Sequence, residues 1–227
     1  MPDRCFCEAI RPGAIAQPAN TWSSCGFVWV GLMIMISRRN YPAATLPSKS
    51  SDPIIHQPMS CGLYGFALIL VGLGSAFYHA SLTFVGQFLD LMGMYLLASF
   101  ILLYNFSKIS LFVRKVFVVA YPLLNILLAS TLIYWPQYRR YLFAILIFAT
   151  LIPEYLSRKV RRVQASTKFL LAALATLVVA FFVWILDINK ILCLPESWLQ
   201  GHALWHLLCA AAAGLWYWHS FSLFDRV

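Results

Sequence analysis

The sequence predicts an all-α fold, a bundle of seven transmembrane helices, and three observations carry that expectation. Hydrophobic residues make up 61% of the 227 and charged residues only 11%, against about 25% charged in ordinary soluble domains. A water-soluble fold of this length cannot hide so much apolar surface, and a disordered chain would be poor in apolar and aromatic residues. Seven apolar runs approach the ~20 residues that carry a helix across a ~30 Å hydrocarbon layer. The connections are short and polar, with no Gly- or Ser-rich linker, internal repeat or low-complexity tract.

In chain order the runs cover 20–37, 61–81, 86–106, 112–133, 140–156, 168–187 and 202–223. The fifth is the shortest and holds Pro153 near its end. The opening MPDRCFCEAIRPG lacks the basic-then-apolar pattern of a signal peptide and reads as a short ordered cap. The expected organisation is one domain over 1–227, with an outer cap (1–19), the helix bundle (20–223) and an inner tail (224–227).

The net charge is +9. In a membrane protein such an excess reports orientation first, so nucleic acid is not an expected partner. Five Lys and Arg residues fall on the amino-terminal side (Arg4, Arg11, Arg139, Arg140, Lys190) and twelve on the other. Basic residues favour the cytoplasm. The expectation is an amino terminus outside, in a periplasm or lumen, and a cytoplasmic carboxyl terminus.

Ionisable groups inside a bilayer are costly and are functional candidates by default. There are only eight acids and five histidines. His79 lies near the end of span two, with Ser75 one turn before it. Asp90 opens span three, and His202 and His206 open span seven. All fall in the same outer slice of the membrane. His202 and His206 are four residues apart, so their rings leave one helix face. With His79 they offer three nitrogen ligands, and three protein ligands plus an open position is the catalytic form of a zinc site. Asp90 is placed to take the proton of an activated water, or to orient a ligand histidine. Ser75 is placed to hydrogen-bond that water or a developing oxyanion. Each residue alone also has a plainer reading: a helix-to-helix hydrogen bond for a histidine, haem ligation for one of the pair, close packing for Ser75, a helix-end partner for Asp90.

The remaining polar residues read as structural. His56 and His219 are interfacial or structural, Glu154 pairs with Arg158 four residues on, and Asp187 serves a helix end. Trp205 and the run Leu215–Trp218 are packing and interface aromatics.

Cys7–Glu8, PANTWS at 18–23, GSAFYHASL at 74–82, QFLD at 87–90 and HALWH at 202–206 together resemble the alkaline ceramidase family. That family belongs to the CREST group of seven-span membrane hydrolases. The resemblance covers nearly the whole chain in the same order. It implies a zinc amidohydrolase that cleaves the N-acyl bond of ceramide-like lipids. It places zinc on His79, His202 and His206 and makes Ser75 and Asp90 catalytic partners. It further implies a disulfide between Cys7 and Cys193, which an oxidising outer compartment permits. Cys5 is a competitor for Cys7, and Cys25, Cys61 and Cys209 read as inert.

One departure concerns calcium. Animal members carry an amino-terminal calcium site, of which Glu8 matches, whereas the other side-chain positions here hold Cys5, Ile10 and Gln17. Calcium takes six to eight oxygen ligands, so only a remnant of that site is expected, with Asp3 near enough to add to it. The substrate expected is a membrane lipid. Two alternatives stand beside this reading: a lipid ester hydrolase of the same superfamily, and a non-enzymatic receptor or transporter. Oligomeric state is not readable.

Overall fold

The computed structural model describes residues 6–39, 58–161 and 167–221. Asp3, Cys5, His56 and the inner tail lie outside the described residues. Among those described there is no strand. The helices are α1 (Pro18–Ser23), α2 (Cys25–Arg39), α3 (Pro58–Ser81), α4 (Phe84–Ser107), α5 (Leu111–Tyr134), α6 (Arg139–Arg161), α7 (Thr167–Ile188) and α8 (Gly201–Phe221). The chain is an all-α membrane bundle.

Six stretches are long and apolar enough to cross a membrane: Pro18–Ser37, Met59–Ser81, Phe84–Ser107, Leu111–Tyr134, Pro136–Lys159 and Thr167–Ile188. They track the first six predicted runs to within a few residues. The seventh run forms α8, whose 21 residues span roughly 31 Å at 1.5 Å per residue. It has the length of a crossing helix but is less apolar. Its sequence GHALWHLLCAAAAGLWYWHSF spends positions on three histidines and a serine, and His202, His206, His219 and Ser220 are all buried.

The chain forms two compact units, Met1–Val30 with Leu68–Asp90 and Ala165–Val227, and Gly31–Ala67 with Leu91–Gln164. In the second unit, buried polar groups pair across helices, as they must where no water competes. Asn125 on α5 and Ser99 on α4 exchange hydrogen bonds of 2.9 and 3.2 Å. The Glu154 carboxylate accepts from Arg158 Nε at 3.0 Å and Lys108 Nζ at 3.3 Å. The pairing of Glu154 with Arg158 is the one its four-residue spacing predicts. Phe100, Tyr104, Phe117 and Tyr121 pack ring on ring beside them.

In the first unit, α7 runs along α8 and α1 packs on α8. Two short-range devices set the helices that carry the predicted site. Only Leu82 and Thr83 separate α3 from α4, and Leu82 adopts φ 49°. That left-handed conformation is uncommon for a bulky residue, and here it reverses the chain within two residues. Gly74 then lets the helices approach. A Cβ there would stand 2.7 Å from the Leu89 carbonyl oxygen and 3.0 Å from the Asp90 nitrogen. Gly74→Ala must therefore push α4 away. It should destabilise the protein by about 1–3 kcal/mol, the usual range for overpacking, read as a lower denaturation midpoint in detergent.

Candidate metal centre

The three predicted ligands meet. His79 ends α3, while His202 and His206 sit one turn apart on α8. These residues are 0%, 4% and 1% exposed, respectively. One ligating atom from each lies within 4.8 Å of the others. His79 Nε2 stands 3.2 Å from His202 Nε2. Two tetrahedral zinc ligands with Zn–N of about 2.0–2.1 Å are about 3.3 Å apart, so that pair already has the required spacing. This buried cluster can hold a metal ion.

Each ring is oriented by a different contact. Gln17 supplies the first. Its Nε2 donates to the Glu8 carbonyl at 3.1 Å, which turns its Oε1 toward His79 Nδ1 at 2.8 Å. An amide oxygen only accepts, so His79 carries its proton on Nδ1 and presents the Nε2 lone pair to the cluster. The Ser23 hydroxyl lies 2.9 Å from His206 Nδ1, with Ser24 at 3.4 Å. His202 is sandwiched. Phe6 stacks on it at 3.9 Å between ring centroids, and Trp205 stacks at 5.2 Å.

Ser75 and Asp90 adjoin the cluster. Ser75 Oγ is 3.4 Å from His206 Nε2, and its hydroxyl hydrogen-bonds the half-buried Asp90 carboxylate. The approach at Gly74 brings that pair together across α3 and α4.

The amino-terminal segment is built into the centre. The amides of Ala16 and Gln17 donate to the Ala80 and His79 carbonyls at 2.9 and 3.0 Å, which satisfies acceptors that the end of α3 leaves open. A disulfide joins Cys7 to Cys193. Buried Asp187, at the end of α7, accepts the Cys7 amide on Oδ2 and the His202 amide on Oδ1, both at 3.1 Å. Its role is thus at a helix end: it caps α8. Gly201 makes room for it, since a Cβ there would sit 2.9 Å from the Asp187 Cβ. Glu8 is buried as well. Its two carboxylate oxygens accept the amides of Ala19 and Asn20 at 2.7 and 2.9 Å, capping α1, which has no side-chain cap from Gln17. Burial pushes the Glu8 carboxyl above the ordinary glutamate range, while those two amides and the charge of Arg11 pull it back.

A ceramidase family model matches residues 6–224. The chain belongs to the ceramidase family. It is therefore a hydrolase acting on amide bonds. An alkaline ceramidase from Drosophila melanogaster is 28% identical over 224 residues, covering 93% of this chain and 72% of that protein. Neither finding favours the ester-hydrolase or receptor alternatives.

All five residues proposed from spacing, His79, His202, His206, Ser75 and Asp90, lie in one unit of this ceramidase, and so do Glu8, Cys7 and Cys193. Sequence reasoning assigned no orienting role to Phe6, Gln17 or Ser23. Gln17 and Ser23 flank or sit inside PANTWS, a segment with no ionisable residue to draw attention. The available signals were its place at the start of the first span and among the motifs that carry the family resemblance. Gln17→Leu preserves size and removes the acceptor for His79. It should weaken metal-ion retention by about 10–100-fold, the usual effect of losing such a partner, measured by equilibrium dialysis and elemental analysis. Gln17→Glu keeps an acceptor and should retain more metal than Gln17→Leu.

Proposed function

We propose that this ceramidase is a zinc-dependent intramembrane amidohydrolase that cleaves the N-acyl amide of ceramide-like sphingolipids to a fatty acid and a long-chain base. The observation that carries the zinc reading is the convergence of three buried imidazoles with two of their Nδ1 atoms already engaged. Neutral nitrogen donors suit zinc, and three of them leave one position open for chemistry. When bound, zinc supplies a Lewis acid for the amide carbonyl and lowers the pKa of water toward neutrality.

The chain's own residues divide the remaining work. Asp90 receives the proton of the attacking water at its carboxylate and delivers it to the leaving amine nitrogen. Hydrolysis then balances: the C–N bond breaks, the acyl carbon gains oxygen and the nitrogen gains hydrogen. Ser75 supports the negative charge that develops on the carbonyl oxygen, and a donor of this kind is typically worth ~2.7–4 kcal/mol in the transition state. His79, His202 and His206 hold the metal, and Gln17, Ser23 and Phe6 keep their rings turned inward. The cap tied by Cys7–Cys193 closes the site from above. Glu8 serves that cap through α1. Of the matched calcium positions only Glu8 keeps a carboxylate, because Cys5, Ile10 and Gln17 carry none.

The lipid enters sideways, with its chains between helices and its polar head at the non-cytosolic surface. The five-to-twelve distribution of basic residues supports an amino terminus outside, and the disulfide suits an oxidising compartment there.

Two variants separate the roles. His206→Ala should lose both zinc and turnover while keeping its helical circular dichroism. Full turnover in the metal-free variant would refute the zinc mechanism. Asp90→Asn should keep its zinc and lose about 10²–10⁴-fold in kcat, the range for removing a general acid–base. Mass spectrometry of products from matched amide and ester lipids tests the bond specificity; preferential ester cleavage would contradict the proposal.

A further inference from the structure

The connection between α7 and α8 is turned inside out relative to a loop made for water. The side chains of Lys190 and Glu196 stay exposed, but most of its other polar groups are bonded internally. The buried Gln200 amide donates to the carbonyls of Leu194 at 2.8 Å and Ser197 at 2.6 Å, with Pro195 at 3.4 Å. Leu199 N–H donates to Ser197 Oγ, Ser197 N–H to the Leu194 carbonyl and Ala9 N–H to the Pro195 carbonyl. Arg11 donates to the Glu196 carbonyl at 3.2 Å and lies over the Trp198 ring at 5.4 Å. The disulfide at Cys193 fixes the middle.

Its large apolar side chains point out instead. Leu199 is 89% exposed and Leu192 73%, and Ile191, Leu194 and Trp198 are exposed with them. A loop braced by a disulfide and by internal hydrogen bonds, with projecting apolar tips, has the chemistry of a segment at the lipid interface, where polar backbone groups favour internal partners. The patch also follows directly on α7, whose Val178, Phe182 and Ile185 are exposed on a candidate membrane span. Tryptophan is the residue of the membrane interface.

We infer that residues 189–200 form an interfacial anchor that dips into the adjoining phospholipid leaflet through Ile191, Leu192, Leu194, Trp198 and Leu199. The anchor ends at Gly201, so it fixes the depth of His202 beneath the leaflet surface. This rests on the membrane placement of the chain and not on the proposed reaction, and the test below needs no substrate or zinc.

The full chain is reconstituted in phospholipid nanodiscs, and Trp198 emission is taken as the difference between wild type and Trp198→Phe. Lipids brominated at shallow acyl positions should quench at least half of that difference, while iodide in the buffer leaves it nearly unchanged. In Leu192→Asp/Leu199→Asp, bromolipid quenching should fall and iodide quenching should appear. Iodide quenching of the wild-type signal would overturn the assignment by placing the loop in water. Shielding from both quenchers would overturn it in favour of a protein partner or a second copy. Unchanged bromolipid quenching in the double variant would overturn the role given to the leucines.

Discussion

The structure of this ceramidase depends on aiming three imidazole edges at a single point inside a nearly dry compartment. Membrane-crossing helices are poor at this alone. Their backbones are satisfied internally and their side chains are mostly apolar, so they offer few fixed dipoles to steer a ring. The steering comes from outside the long helices. A glutamine amide, a serine hydroxyl and a phenylalanine face, all from the first two dozen residues, each constrain one histidine.

That dependence explains why so much polar machinery gathers around a short segment. Glu8 ties down the free amides of α1, the segment's own amides close the open carbonyls of α3, and Asp187 joins the segment to the start of α8. Each contact satisfies a helix terminus that would otherwise be stranded without water. Stability and function share the same atoms here. Glu8 and Asp187, the buried acids of the first unit among the described residues, are organisers of helix ends.

Much of this was legible in the sequence, for reasons of scale. The α5 and α7 spans are continuous apolar runs, and such runs have few alternative fates in a chain this rich in hydrophobic residues. The histidine cluster was legible because charge and imidazole are scarce there, so His79, His202 and His206 stood out against their background. The boundary between α1 and α2 at Ser24 was not, because hydropathy averages over a single-residue break. Gln17 and Phe6 were not either. Nothing local distinguishes a glutamine that turns toward His79 from one that faces water, since the decision is made by the Glu8 carbonyl on its other side. Likewise α8 reads as a weaker span in hydropathy because its polar residues are turned inward, a fact only packing reveals.

The hydrogen bond from Ser23 to His206 crosses 183 residues of chain. Ribosomes make proteins from the amino end, so the first helix must wait in the bilayer, its hydroxyl without this partner, until the final helix is threaded. The histidine cluster is consequently among the last features to assemble, and nascent chains still short of α8 hold only one of its three rings, His79.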